Sequence, residues 1–235
     1  MNRILTAATF ALLAGLPAAA DPPAEKPATP AKAPSAADKF EATVKKFEEQ
    51  DRKSPPAKGG ILFCGSSTVA GWKTSKNFPD LPTINRGIGS THISHAVQFA
   101  DRIAIPYAPK VIAFYAGDND ISAGKSPETV EKDFRAFAEK IHAKLPETRI
   151  IFISIKPSIL RWNLWPKIQD ANRRVEAFCK SDKNLAYLDI APATLGADGK
   201  PDPSLFLKDG LHLNEKGYAA WSALLRPLLD KWPGR

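Results

Sequence analysis

A chain of 235 residues that is 43% hydrophobic and 25% charged suits one globular domain with a sizeable core, with room for terminal segments outside it. The formal charge of +8 comes without an Arg-rich helix or an aromatic-interleaved basic patch, which argues against a nucleic-acid partner; the excess serves solubility or draws the protein towards anionic surfaces. Two cysteines, in no CxxC or Cys/His grouping, argue against a zinc site.

Residues 1–20 read as a leader. Arg3 supplies positive charge, "ILTAATFALLAGL" is apolar, and small residues close the segment in an Ala18-x-Ala20 pattern. The run is shorter than the roughly 18 to 20 apolar residues of a spanning helix, and no later run is long enough. Cleavage near Ala20 and export to a periplasm or the medium are therefore expected, with no integral membrane segment left. Residues 21–37, "DPPAEKPATPAKAPSAA", offer nothing to bury and read as a solvated linker. The domain is expected over residues 38–235, opening with an amphipathic helix that places Phe40, Val44 and Phe47 on one face.

Apolar, β-rich runs then recur at "GILFC", "TIN", "VIAFYAG", "RIIFISI" and "LAYLDI", with helix-period patterns in most of the gaps. That alternation predicts an α/β sandwich around a mostly parallel sheet. Cys64 ends the first run and Cys179 a predicted helix, so both read as buried small hydrophobes, although export would also permit a disulfide. Ser126 is placed to cap a helix beginning at Pro127, with Val130, Phe134, Phe137 and Ile141 facing inward. Asn214 is placed to cap the last helix, whose Tyr218, Trp221, Leu224 and Leu225 share a face.

Ligands in open parallel sheets gather beyond the carboxyl ends of the strands. The residues there are polar and rich in glycine: Gly65 to Thr68, Asn85 to Gly89, Gly117 to Asp120, then "KPSILRWNLW" and "KDGLHLNEKG". Several familiar templates fail. Gly65-x-Ser67 ends on Val69 instead of the second glycine of a GxSxG elbow. Gly87-x-Gly89 runs on to His92 and not to a third glycine, so no dinucleotide fingerprint forms. The stretch from Asp118 has Ala123 and Thr129 where a calcium loop needs glycine and glutamate.

A serine nucleophile needs a base in reach and a group that orients the base. His92, His95 and His142 fall on predicted helices as surface or packing residues. His212 differs, since "DGLH" puts Asp209 three residues earlier in a glycine-containing turn, where one loop can supply imidazole and carboxylate together.

A serine after the first strand, a small-residue turn after the second, an asparagine after the third and DxxH before the last helix occur in one order. In this the chain resembles the SGNH (GDSL-type) hydrolases over roughly residues 58 to 230. The resemblance implies a three-layer α/β/α sandwich of flavodoxin-like type with five strands. It implies a serine esterase in which Ser67 is the nucleophile, His212 the base and Asp209 its orienting partner. It also implies an oxyanion hole from the backbone N–H groups of Ser67 and Ser90 and the side-chain amide of Asn119, with Gly89 beside it. No metal or organic cofactor is required. Two positions depart from the pattern: Ser66 stands where the family name-motif has aspartate, and Ser90 where the family usually has glycine. Trp162 and Trp165 are candidates for an apolar or sugar-stacking wall beside Lys156 and Arg161, with packing as core the equal alternative, and Trp72 has the same ambiguity. The expected substrate is a small-molecule, glycan or lipid ester, first among them an acetyl or short-chain ester. The alternatives are a lysophospholipase or platelet-activating-factor acetylhydrolase-like lipid esterase, and a non-catalytic carbohydrate- or envelope-binding protein on the same fold.

Overall fold

The computed structural model describes residues 36–231, so the expected leader and nearly all of the expected linker lie outside the described residues. Helix α1 (Ala36–Lys53) takes in the last two residues assigned to that linker. The five apolar runs form β1 (Ile61–Gly65), β2 (Thr83–Gly87), β3 (Val111–Tyr115), β4 (Arg149–Ile153) and β5 (Leu185–Leu188). They make one sheet in the order β2-β1-β3-β4-β5, parallel at every pairing. Burial explains the composition: β1 and β3 are covered on both faces, so each reads as an unbroken apolar run instead of an alternation.

Successive side chains of a strand point to opposite faces, and here they feed two cores. Leu62, Cys64, Ile112 and Phe114 enter one, Phe63, Ala113, Tyr115 and Ile151 the other. The first core is closed by α1, α4 (Ile93–Ile103), α6 (Pro127–His142) and α7 (Trp165–Cys179). The second is closed by α8 (Glu215–Asp230) and by the short α2 (Ser67–Ala70), with α3 (Thr74–Asn77) packed beside it and α5 (Asp118–Ser122) following β3. This is the three-layer α/β/α sandwich that the family resemblance implies.

The helix boundaries follow local chemistry. Ser126 Oγ accepts the Thr129 amide at 3.2 Å with Pro127 opening α6, and Val130, Phe134, Phe137 and Ile141 are fully buried. Asn214 Oδ1 accepts the Gly217 amide at 3.1 Å and starts α8. A 3.6-residue period lines up Tyr218, Trp221 and Leu225 but turns Leu224 to the margin, where it is 37% exposed instead of joining the buried face. Cys64 and Cys179 are both free thiols in the first core, and burial pushes each up to about 12. Phe40 and Val44 of α1 are buried as expected. The helix is also held by charge: Arg86 Nη2 donates to Asp51 Oδ1 at 2.5 Å, Arg86 Nε to Tyr107 Oη at 2.8 Å, and Tyr107 Oη to Asp51 Oδ2 at 2.6 Å.

Gly65, Gly87 and Tyr115 stand in register across three neighbouring strands, so three turns leave the sheet at one level. The spacing there is tight. A Cβ on Gly65 would lie 1.8 Å from Tyr115 O, and one on Gly87 would lie 2.2 Å from Ala70 N; only glycine lets α2 sit against the end of β2. Gly87→Ala is accordingly expected to lower unfolding free energy by about 3 kcal/mol or more, because backbone must move. Gly89→Ala, whose new methyl meets nothing within 4 Å, is expected to stay within about 0.5 kcal/mol of the wild type in urea denaturation.

Candidate active site

The Asp209–His212 turn is built by its own backbone. Asp209 Oδ1 accepts the amides of Leu211 at 2.9 Å and His212 at 3.0 Å, which folds the carboxylate back over the turn. Its other oxygen, Oδ2, meets His212 Nδ1 at 2.6 Å. The hydrogen bond from His212, followed by the two amides, holds the Asp209 carboxyl down at about 2. An ionised carboxylate only accepts, so in the neutral imidazole the proton sits on Nδ1 and Nε2 keeps the lone pair. Nε2 lies 2.9 Å from Ser67 Oγ.

Ser67 is the first residue of α2, and Ser66 precedes it as the N-cap. The two serines have opposite environments. Ser66 is fully buried, its backbone N–H donating to Tyr115 O at 2.9 Å, and its hydroxyl finds no hydrogen-bond partner among the described residues. Ser67 alone faces the imidazole. Its own N–H stands at the start of a helix, where the first amides have no intrahelical acceptor. Asn85 pins this turn to the end of β2: Nδ2 donates to Val69 O at 2.8 Å and Trp72 O at 2.9 Å, while Oδ1 accepts the Gly87 amide at 2.8 Å.

Ser90, exposed, has φ +60, the left-handed conformation that the glycine implied at this position adopts freely. Gly89 beside it is exposed and open. Asn119 lies in the first turn of α5; its Nδ2 donates to Thr91 O at 3.1 Å and its Oδ1 accepts from Arg161 Nη2 at 3.0 Å. The neighbouring Asp120 is fully buried and accepts the Ile93 amide and Lys125 Nζ, so it anchors α4 and takes no place at the surface. His92 caps α4, its N–H donating to His95 Nδ1 at 3.2 Å, and His142 ends α6, so these histidines serve the helices.

The tryptophans and Lys156 divide between the two readings left open, substrate wall and core. Trp72 is core, packed edge-on or tilted among Phe63, Phe78, Tyr218 and Trp221. Trp162 and Trp165 stack on each other at 6.0 Å between centroids; Trp165 also packs on the first core, and Trp162 lines a 660 Å³ cleft with Ile159 and the 196–203 loop. Lys156, expected beside them, is instead 1% exposed and lies under the site: Nζ donates to Tyr115 Oη at 2.9 Å, Thr68 Oγ1 at 3.1 Å and Asp118 Oδ2 at 3.3 Å. Burial pulls its pKa down, against the pull of Asp118. Sequence alone gave no role to Asn85, Thr68 or Asp118 and placed Lys156 only beside the tryptophans, since most of their partners are distant in the chain. A second cleft, of 560 Å³, adjoins the His212 turn through Leu207, Leu213 and Tyr218. Among the described residues no three His, Cys, Asp or Glu side chains group as a metal-binding set, and no helix is long and apolar enough to cross a membrane.

Solved structures share this architecture. A Streptococcus pneumonia protein provisionally assigned as a platelet activating factor superposes with a TM-score of 0.74 at 22% identity, over 81% of this chain and 92% of its own. A provisionally assigned acylhydrolase from Bacteroides fragilis gives 0.70 at 21% identity, over 81% and 97%. A GDSL-like lipase from Bacteroides thetaiotaomicron gives 0.69 at 21% identity, over 82% and 98%. At such identities these similarities speak to the fold. No curated protein sequence matches the chain. The model of the GDSL-like Lipase/Acylhydrolase family matches residues 63–220, a span that runs from β1 through the Asp209–His212 turn into α8, and the chain therefore belongs to that family of ester hydrolases.

Proposed function

We propose that the protein is a serine esterase working through an acyl-enzyme intermediate. The observation that carries this reading is the continuous line from Asp209 through His212 to Ser67, with links of 2.6 and 2.9 Å. Ser67 Oγ attacks the ester carbonyl as His212 Nε2 takes its proton, and Asp209 stabilises the imidazolium. The oxyanion is met by the N–H groups of Ser67 and Ser90 and by Asn119 Nδ2. Collapse of the tetrahedral species expels the alcohol with the proton from His212; water then repeats the sequence on the acyl-Ser67 and releases the carboxylic acid.

The acyl group expected from the sequence is acetyl or short-chain. One observation favours a longer, apolar chain. Of the exposed large hydrophobic side chains among the described residues, Ile159, Leu160 and Leu207 all border the Asp209–His212 turn: Leu160 N–H donates to Gly210 O and Leu207 N–H to His212 O, and a Cβ on Gly210 would lie 3.1 Å from Ile159 Cβ. Apolar surface kept wet beside a reactive centre suits a fatty acyl ester, such as a lysophospholipid. Export remains part of the proposal on the strength of the leader in residues 1–20, and mature protein from the native host is expected to begin near Asp21 by N-terminal sequencing.

Ser67→Ala is expected to lower turnover of p-nitrophenyl esters at least about 10³-fold and to abolish labelling by a fluorophosphonate probe. Ser66→Ala keeps both, and stability holds or rises by up to about 1 kcal/mol, because an unpaired buried hydroxyl is removed. Absence of turnover and labelling in folded wild type would instead mark a binding protein. Asp209→Asn is expected to lower kcat about 10³- to 10⁴-fold by presenting the wrong tautomer. Asp209, held at about 2, stays ionised through the acid range, so its own protonation is not expected to lower kcat/KM there. Finally, kcat/KM is expected to rise from acetate to octanoate, with Leu160→Ser reducing the octanoate rate and sparing acetate; a profile falling from acetate restores the short-chain reading.

A further inference from the structure

The loop after β4 sends two long basic side chains back to the Asn119 turn. The Asp118 carboxylate stands between them, its Oδ2 being 3.3 Å from Lys156 Nζ and 3.3 Å from Arg161 Nη1. Arg161 is only 15% exposed in its side chain, and its second terminal nitrogen, Nη2, donates to Asn119 Oδ1 at 3.0 Å. On the other side of that carboxamide, Nδ2 donates to Thr91 O at 3.1 Å.

Both neighbours of the carboxamide are one-way groups. A guanidinium can only donate and a backbone carbonyl can only accept. Turning the amide over would set N–H against N–H and oxygen against oxygen, losing two hydrogen bonds, one of them charge-assisted. The orientation is therefore dictated by chemistry, and Nδ2 keeps one hydrogen beyond the one given to Thr91. A charged donor on Oδ1 also polarises the amide, which strengthens the remaining N–H as a donor.

We propose that Arg161 is a positioning residue: braced on the Asp118–Lys156 pair, it locks the Asn119 carboxamide with its second Nδ2–H directed at the oxyanion. This rests on the reading of Asn119 as an oxyanion-hole donor. Lys156 extends the brace, since the same ammonium holds Thr68, next to Ser67, and Asp118, next to Asn119.

The test is a double-mutant cycle on p-nitrophenyl ester hydrolysis with wild type, Arg161→Ala, Asn119→Ala and the double variant. Asn119→Ala is expected to lower kcat about 10²- to 10³-fold. Arg161→Ala is expected to lower kcat about 10- to 100-fold with KM within about twofold, and the double variant to be no worse than Asn119→Ala. Millimolar guanidinium is expected to restore part of the Arg161→Ala rate and none of the double variant's. A loss at Arg161 that multiplies onto that at Asn119, or that falls on KM, overturns the proposal, because Arg161 then acts on substrate or on the fold. A severe Asn119→Ala beside a harmless Arg161→Ala overturns the proposal alone, whereas a harmless Asn119→Ala overturns the oxyanion reading and the proposal with it. Circular dichroism and melting monitor folding. If Arg161→Ala does not fold, Arg161→Lys replaces it in the cycle: one ammonium cannot span Asp118 and Asn119 together, so a smaller loss is expected, again absent in the Asn119→Ala background.

Discussion

A lysine ammonium buried beneath the strand ends is the constraint on which the site depends. Leaving such a charge unpaired costs several kcal/mol, so the fold has to bring it a carboxylate and further acceptors. Asp118, Thr68 and Tyr115 meet that demand, and they come from the start of α5, from α2 and from β3. In doing so they bring the residues next to Ser67 and Asn119 to one ammonium. Arg161 adds a second cation to the same carboxylate, which leaves this cluster with an excess of positive charge next to the position proposed for the oxyanion.

Above that brace the site is assembled from two kinds of order. The Asp209–His212 turn is local: four residues contain the carboxylate, the imidazole and the backbone amides that hold the carboxylate in place. The meeting of His212 with Ser67 is not, since 145 residues separate them and the contact exists only because α2 and the DxxH turn both lie at the carboxyl edge of the sheet. The close fit at that edge depends on Gly65 and Gly87, where backbone passes too close for a Cβ. Preorganisation of the proposed catalytic groups is in this sense a packing property of the strand ends.

The surroundings of the site are uneven. Ile159, Leu160 and Leu207 stand exposed around the DxxH turn, whereas the tryptophans, for which the sequence left a substrate wall and core packing equally open, are partly or wholly taken into structure. Trp72 fills the second core, Trp165 leans on the first while edging a separate cleft with Gln169 and Tyr187, and Trp162 lines the cleft beside Ile159. Large aromatic area is more readily satisfied by a core than by water, and the shorter aliphatic side chains on the loops are what remain outside.

What the sequence determined by itself is what is local or periodic. The five strands are apolar runs, the caps at Ser126 and Asn214 are short-range hydrogen-bonding motifs, and Asp209 with His212 is an i, i+3 pair, so each was legible from a few neighbouring residues. The order of four polar turns along the chain was enough to point to the family and to Ser67 over Ser66. Only the tertiary structure decided which long side chains are buried, because burial depends on what other segments place around them: Lys156, expected beside a possible tryptophan wall, lies under the site, and Leu224, expected to share a face with Tyr218, Trp221 and Leu225, lies at the helix margin. It also decided that Ser90 takes a left-handed backbone and that Arg161 reaches Asn119, since both follow from loop paths set by packing against distant parts of the chain and leave no periodic trace in the sequence.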